Sequence, residues 1–133
     1  MEEQELTEKI IGCAMKVHSS LGPGFLESVY KKALAHELQK AGLKVQLEQP
    51  IVVRYDGVVV GDFSADMLVE EKVMVELKAT QALAPANGVQ LVNYLTATGI
   101  EVGLLLNFGA ERLEFKRKTR TYRPKQPPKD FIL

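Results

Sequence analysis

The chain reads as an α/β (α+β) domain in which helices flank a mixed central β-sheet, in the order α-α-β-β-β-α-β-β. Three observations carry this expectation. Two N-terminal stretches repeat apolar residues at helical spacing, the middle of the chain alternates with a period of two between turn signals, and a third helical stretch separates two strands whose apolar residues occupy both faces. Strands that alternate and then bracket a helix suit a sheet with antiparallel and parallel parts.

The elements follow in order. Residues 3–20 place Leu6, Ile10, Ala14 and Val17 on one helical stripe, which Leu21-Gly22-Pro23-Gly24 ends. A second helix is expected over 25–41, closed at Gly42, where a left-handed cap is commonly found. From Lys44 to Tyr55 the chain alternates, with Val45, Leu47, Ile51, Val53 and Tyr55 on one face against Lys44, Gln46, Glu48 and Arg54 on the other. Asp56-Gly57 is a strong hairpin signal and leads into a strand over Val58–Val69, bent near Gly61. Val73–Lys78 is the next strand, antiparallel to it. Pro85 and Asn87 open a third helix that Gly99 terminates, Glu101–Phe108 is a covered strand, and Leu113 and Phe115 mark a last one. No repeat or internal linker divides the chain. Residues 1–118 are read as one domain and 119–133 as a basic, proline-containing tail.

With 133 residues and 46% hydrophobic content, one core without disulfides is expected. The single Cys13 excludes an intramolecular disulfide and a cysteine zinc cluster, and its place on the apolar side of the first helix makes it a core residue. No apolar run approaches a membrane span and the N-terminus is acidic, so a cytoplasmic protein with no membrane partner is expected. The 17 basic and 17 acidic residues cancel, but unevenly. From Glu111 onward, Arg112, Lys116, Arg117, Lys118, Arg120, Arg123, Lys125 and Lys129 oppose only Glu111, Glu114 and Asp130. That segment is either a solvated tail or a contact for a phosphate backbone.

The stretch Asp66–Lys78 carries the chemistry. On a strand over 73–78, Met74, Glu76 and Lys78 project from one face and Val73, Val75 and Leu77 from the other. If Glu70, Glu71 and Lys72 form a three-residue loop, Val69 pairs with Val73, Leu68 with Met74, Met67 with Val75, and Asp66 faces Glu76. A loop of two would put the two acids on opposite faces. Like charges directly opposite are destabilising unless a cation lies between them, and a divalent metal together with Lys78 would supply it. The same residues also fit a solvated face with weak ion pairs. Against that, apolar residues at both parities suit a strand covered on both sides, where unpaired charges are costly.

Further polar residues fall where a core is expected. Glu27 shares a stripe of the second helix with Leu34 and Leu38, and a carboxylate there needs either a salt bridge or a metal. Glu37, near Tyr30 and Leu34, is read as structural. Gln90 and Tyr94 stand one above the other on the third helix, and His18 and His36 are assigned structural roles.

The string Gly24-Phe25-Leu26-Glu27-Ser28-Val29-Tyr30 resembles the signature of the GxxExxY protein family, and the likeness continues through Asp66, Glu76-Leu77-Lys78, Gln90, Asn93-Tyr94-Leu95 and Asn107-Phe108-Gly109. That family is similar to a branch of the PD-(D/E)XK nuclease superfamily, with a restriction-endonuclease-like core. The resemblance implies metal ligation by Asp66, Glu76, Glu27 and the Leu77 carbonyl, with Lys78 orienting or activating the attacking water. It also implies supporting or substrate-binding roles for Gln90, Tyr94 and Tyr30, the first two resembling the Q-x-x-x-Y helix of RecB-like nucleases. Ala65 replaces the proline of the superfamily's name, which leaves the chemistry intact.

The expected function is hydrolysis of phosphodiester bonds in nucleic acid, DNA or RNA, using Mg²⁺ (or Mn²⁺). A homodimer is compatible with so short a chain. The alternative is a non-catalytic module on the same fold that binds nucleic acid or protein.

Overall fold

The computed structural model describes residues 3–120 and 131–132. It contains the expected order of helices and strands: α1 (Gln4–Leu21), α2 (Glu27–Lys40), β1 (Val45–Tyr55), β2 (Val58–Val69), β3 (Val73–Lys78), α3 (Pro85–Thr98), β4 (Val102–Asn107) and β5 (Glu114–Thr119). A two-residue strand not expected from the sequence, β6 (Phe131–Ile132), pairs with β1 at Val52 and Val53. The sheet order is β5-β4-β3-β2-β1-β6. Among the described residues only β3 and β4 pair in parallel, connected through α3. This is a restriction-endonuclease-like α+β arrangement.

Each hairpin follows from its turn. Asp56 and Gly57 both adopt left-handed backbone, with φ of 53° and 76°, and join Tyr55 to Val58 with a two-residue loop. Glu70 and Glu71 are likewise left-handed, and the three-residue loop gives the expected register of Val69 with Val73, Leu68 with Met74 and Met67 with Val75. Such backbone costs roughly 1–3 kcal/mol per non-glycine residue. At Glu70 it is offset by the carboxylate, which accepts from the Lys44 N–H at 2.6 Å.

Two apolar clusters cover the sheet. Ile10, Ala14 and Val17 of α1 and Tyr30, Leu34 and Leu38 of α2 pack on Met67, Val69, Val75, Leu77, Leu104 and Leu106. On the opposite face, Leu91, Leu95 and Ala97 of α3 pack on Leu68, Met74 and Leu105. The alternating apolar row of β1 does not stay on one face, as its sequence suggests. Val45 joins the α1/α2 cluster, whereas Ile51, of the same parity, joins the α3 cluster. The reason is local: Glu48 has φ of 54°, and the β1–β2 ladder skips the opposed residues Glu48 and Asp66. Asp66 thus lies where the strand exchanges faces.

Cys13 is half-buried against the α1/α2 cluster rather than enclosed in it. Glu37 bridges Lys16 of α1 at 3.3 Å and Lys40 at 3.5 Å, a structural role. His18 is buried, with Nε2 2.9 Å from the Ala110 carbonyl, while His36 is exposed. Among the described residues no helix is long and apolar enough to cross a membrane.

Strand β5 runs one residue past position 118. The basic residues in and just after it are partly engaged: Arg120 pairs with Glu101 at 2.5 Å, and Arg117 donates to the Thr7 hydroxyl at 3.5 Å. Arg123, Lys125 and Lys129 lie outside the described residues.

Candidate functional site

The backbone ladder between β2 and β3 ends at Met67 and Val75, and beyond it side chains replace backbone partners. The Asp66 N–H donates to Glu76 Oε1 at 3.2 Å, and the Leu77 N–H donates to Asp66 Oδ2 at 2.8 Å. The expected facing pair is therefore in contact. Glu76 is only 6% exposed, and its carboxyl is pushed up to about 8, first by burial and then by the Asp66 charge and a hydrogen bond between the two carboxyls. Lys78 opposes this rise. Two oxygen donors held together in a dry place share a proton when nothing else compensates them.

Helix α2 brings Glu27 to the same side. Burial and then Asp66 push the Glu27 carboxyl up, while Lys78 and Lys31 pull it down. One turn further along the helix, Lys31 lies 3.5 Å from Asp66 Oδ1 and also pairs with Glu48. Burial opposes charge on Lys31, but the Glu48 hydrogen bond and the Asp66 charge together raise its pKa. Glu48 is held low by Lys31 and by the Ser64 hydroxyl, which donates at 3.0 Å. Lys31 and Glu48 were not singled out from the sequence. Helical spacing from Glu27 could have suggested Lys31; nothing local marks the left-handed backbone of Glu48.

Helix α3 approaches the pair from the other face. The Tyr94 hydroxyl is pushed up by burial first, then by the charges of Glu76 and Asp66. Gln90, one turn earlier, is exposed and lines a groove together with Tyr94. Tyr30 is placed differently from the others. It is fully buried, stacks on Phe108 with ring centroids 4.8 Å apart, and donates from its hydroxyl to the Gly22 carbonyl at 2.5 Å while accepting from the Phe25 N–H. It fixes the turn before Glu27 and is closed to direct contact with a substrate.

The loop after Lys78 is held by residues of β4 and β5. Asn107, fully buried, accepts from the Thr80 and Gly109 N–H groups and donates to the Thr80 carbonyl and to Glu114. Gly109 is required there, because a Cβ would lie 2.4 Å from the Thr80 nitrogen. The Asn107-Phe108-Gly109 string is thus a brace for the strand end that carries Lys78.

Among the described residues, no group of three or more His, Cys, Asp or Glu side chains is placed to hold a metal ion. The pair Asp66 and Glu76 nonetheless fits a hard divalent cation chemically: both are oxygen donors, they are adjacent, and their repulsion is relieved by a proton on Glu76.

A mixed sheet with paired acids and a lysine at the end of β3 defines a nuclease-like protein of the restriction-endonuclease type. A family model for the PD-(D/E)XK nuclease superfamily matches residues 4–118, and the chain belongs to that superfamily. Among solved structures, the crystal structure of SSO0001 is similar, with 18% identity and a TM-score of 0.56 over 91% of this chain. The match spans 60% of that chain, and at this identity the likeness concerns the fold alone. A search of curated proteins gave no match.

Proposed function

We propose that this protein is a divalent-metal-dependent nuclease of the GxxExxY branch, cytoplasmic, hydrolysing phosphodiester bonds in DNA or RNA. The observation that carries the reading is the Asp66–Glu76 contact, with Glu76 pushed up to about 8 beside Lys78. An acid pair with one buried and one partly buried member that stores a proton near neutrality is poor structural design and a good cation trap. Asp66 and Glu76 would hold Mg²⁺ or Mn²⁺, with the Leu77 carbonyl and, drawn in from α2, Glu27 as further ligands. When bound, the ion polarises the phosphate and lowers the pKa of the attacking water.

The chain's own residues supply the remainder. Asp66 is oriented by the Leu77 N–H, so its second oxygen is free to face a cation or Lys31. Lys78, at the open end of β3, presents a compact cation to the nucleophile or the phosphorane. Tyr94 and Gln90 border the site from α3 and would position the substrate. Glu27 adds negative charge that Lys31 and Lys78 moderate.

The Lys31–Asp66 ion pair favours a second reading, a non-catalytic binding module in which the lysine already compensates the acid. A cleavage panel of DNA and RNA substrates, single- and double-stranded, with Mg²⁺ or Mn²⁺ separates the two. Activity in the wild type that is lost in Asp66→Ala supports the nuclease; binding without cleavage supports the module.

A further inference from the structure

We propose that the groove between α3 and the β1–β2 hairpin is a base-binding subsite, so that the substrate is single-stranded nucleic acid with an unstacked base beside the scissile phosphate. The inference rests on the nuclease reading above. The groove has a volume of about 580 Å³ and is lined by Val53 and Phe63 from the hairpin and by Val89, Gln90, Asn93 and Tyr94 among the α3 residues. No charged side chain lines it among the described residues.

That composition decides which part of a nucleotide it suits. Among the described lining residues a phosphate meets no cation, whereas Lys31 and Lys78 stand on the carboxylate side. A base has an apolar face for Phe63 and Tyr94 and a polar edge for the amides of Gln90 and Asn93. Phe63 is 44% exposed, and its ring meets Tyr94 tilted at 40° with centroids 5.5 Å apart, so the two rings do not cover each other's faces. The ring's place is built in: it lies over Gly61, where a Cβ would stand 2.6 Å from Phe63 Cε2. Tyr94 packs on the cluster that holds Ala65 of β2 and Met74 of β3, the strands that carry Asp66 and Glu76, so the groove lies on the α3 side of the acids. In a duplex, the faces of the bases are already stacked and their edges paired; a single strand offers both.

The test measures binding of eight-nucleotide DNA and RNA single strands carrying 2-aminopurine, and of the matching duplexes, with Ca²⁺ in place of Mg²⁺. The wild type is expected to prefer the single strand and to quench the probe. Phe63→Leu should weaken single-strand binding by about 5- to 150-fold, the worth of one stacked base, and relieve the quenching, while Phe63→Tyr should retain both. Asn93→Ala, an exposed change to a better helix former, should fold whatever the fate of Phe63→Leu, and should weaken single-strand binding several-fold. Unchanged affinity and quenching in Phe63→Leu, or in Asn93→Ala should the first variant not fold, would overturn the subsite; if Mg²⁺-dependent cleavage persists alongside, the nuclease reading stands without it. If Phe63→Leu alters sedimentation but not oligonucleotide binding, the groove is a contact between copies and the proposal fails. If the wild type binds and cleaves no nucleic acid, both readings fall together.

Discussion

Replacing Asp66 by asparagine should make the metal-free protein more stable at pH 8, although it deletes an ion pair. In the wild type, the Glu76 carboxyl is held at about 8 against an ordinary 4.5. The folded chain therefore binds more protons than the unfolded chain between these values, and stability falls as pH rises through that window. At pH 8 the full penalty is up to roughly 5 kcal/mol. Burial is the largest cause and persists in the variant, so only Asp66's share is recovered. The loss of the partly buried Lys31 contact offsets about 1 kcal/mol of it. The oxygen of the introduced amide can still accept from the Leu77 N–H, and its nitrogen can donate to an ionised Glu76. A net gain of about 1–2 kcal/mol at pH 8 is expected, roughly 3–5 °C in melting temperature per kcal/mol for a chain of this size. Near pH 5, where Glu76 is protonated, the gain should vanish or reverse. Thermal melts in chelator from pH 5 to 8.5 measure this directly. Parallel pH curves for the two proteins, or a variant less stable at pH 8, would refute the view that the acids strain each other.

The other predictions address the site and its support. Calorimetric Mn²⁺ binding should release about one proton below pH 8 and tighten by up to about tenfold per pH unit from 6 to 8, flattening above that value as Glu76 ionises; pH-independent affinity would separate Glu76 from the metal. Lys78→Ala should leave metal and nucleic-acid affinity within a few-fold while lowering cleavage by ~10²–10³, read in single-turnover assays. Asn107→Ala should cost roughly 2–4 kcal/mol in denaturant melts, because it removes the side-chain partners of the Thr80 backbone and the Gly109 N–H.

The register that brings Asp66 to Glu76 was legible because it depends on few residues close in the chain. A three-residue loop leaves strand parity no choice, and Glu70-Glu71-Lys72 adopted it. The turn at Asp56-Gly57 and the helix stop at Gly99, with φ of 77°, were legible for the same reason. Lys31 and Glu48 were not. Their meeting with Asp66 joins a helix and two strands, and it depends on Glu48 taking a left-handed backbone that no spacing signals. The switch of β1 from one face to the other at that point escaped the alternating pattern, since alternation assumes an unbroken pleat. Tyr30 looked like part of a functional motif, and only packing revealed that its hydroxyl closes the Gly22 turn.

By itself, then, the amino-acid sequence determined the order of elements and the facing of the two acids, both matters of periodicity and turn length. The tertiary structure alone decided which cation compensates Asp66, why Glu76 keeps its proton to about 8, and that Phe63 and Tyr94 come together in one groove along α3. Burial and charge act through space, and residues far apart in the chain come within their few ångströms only after the sheet is covered on both faces.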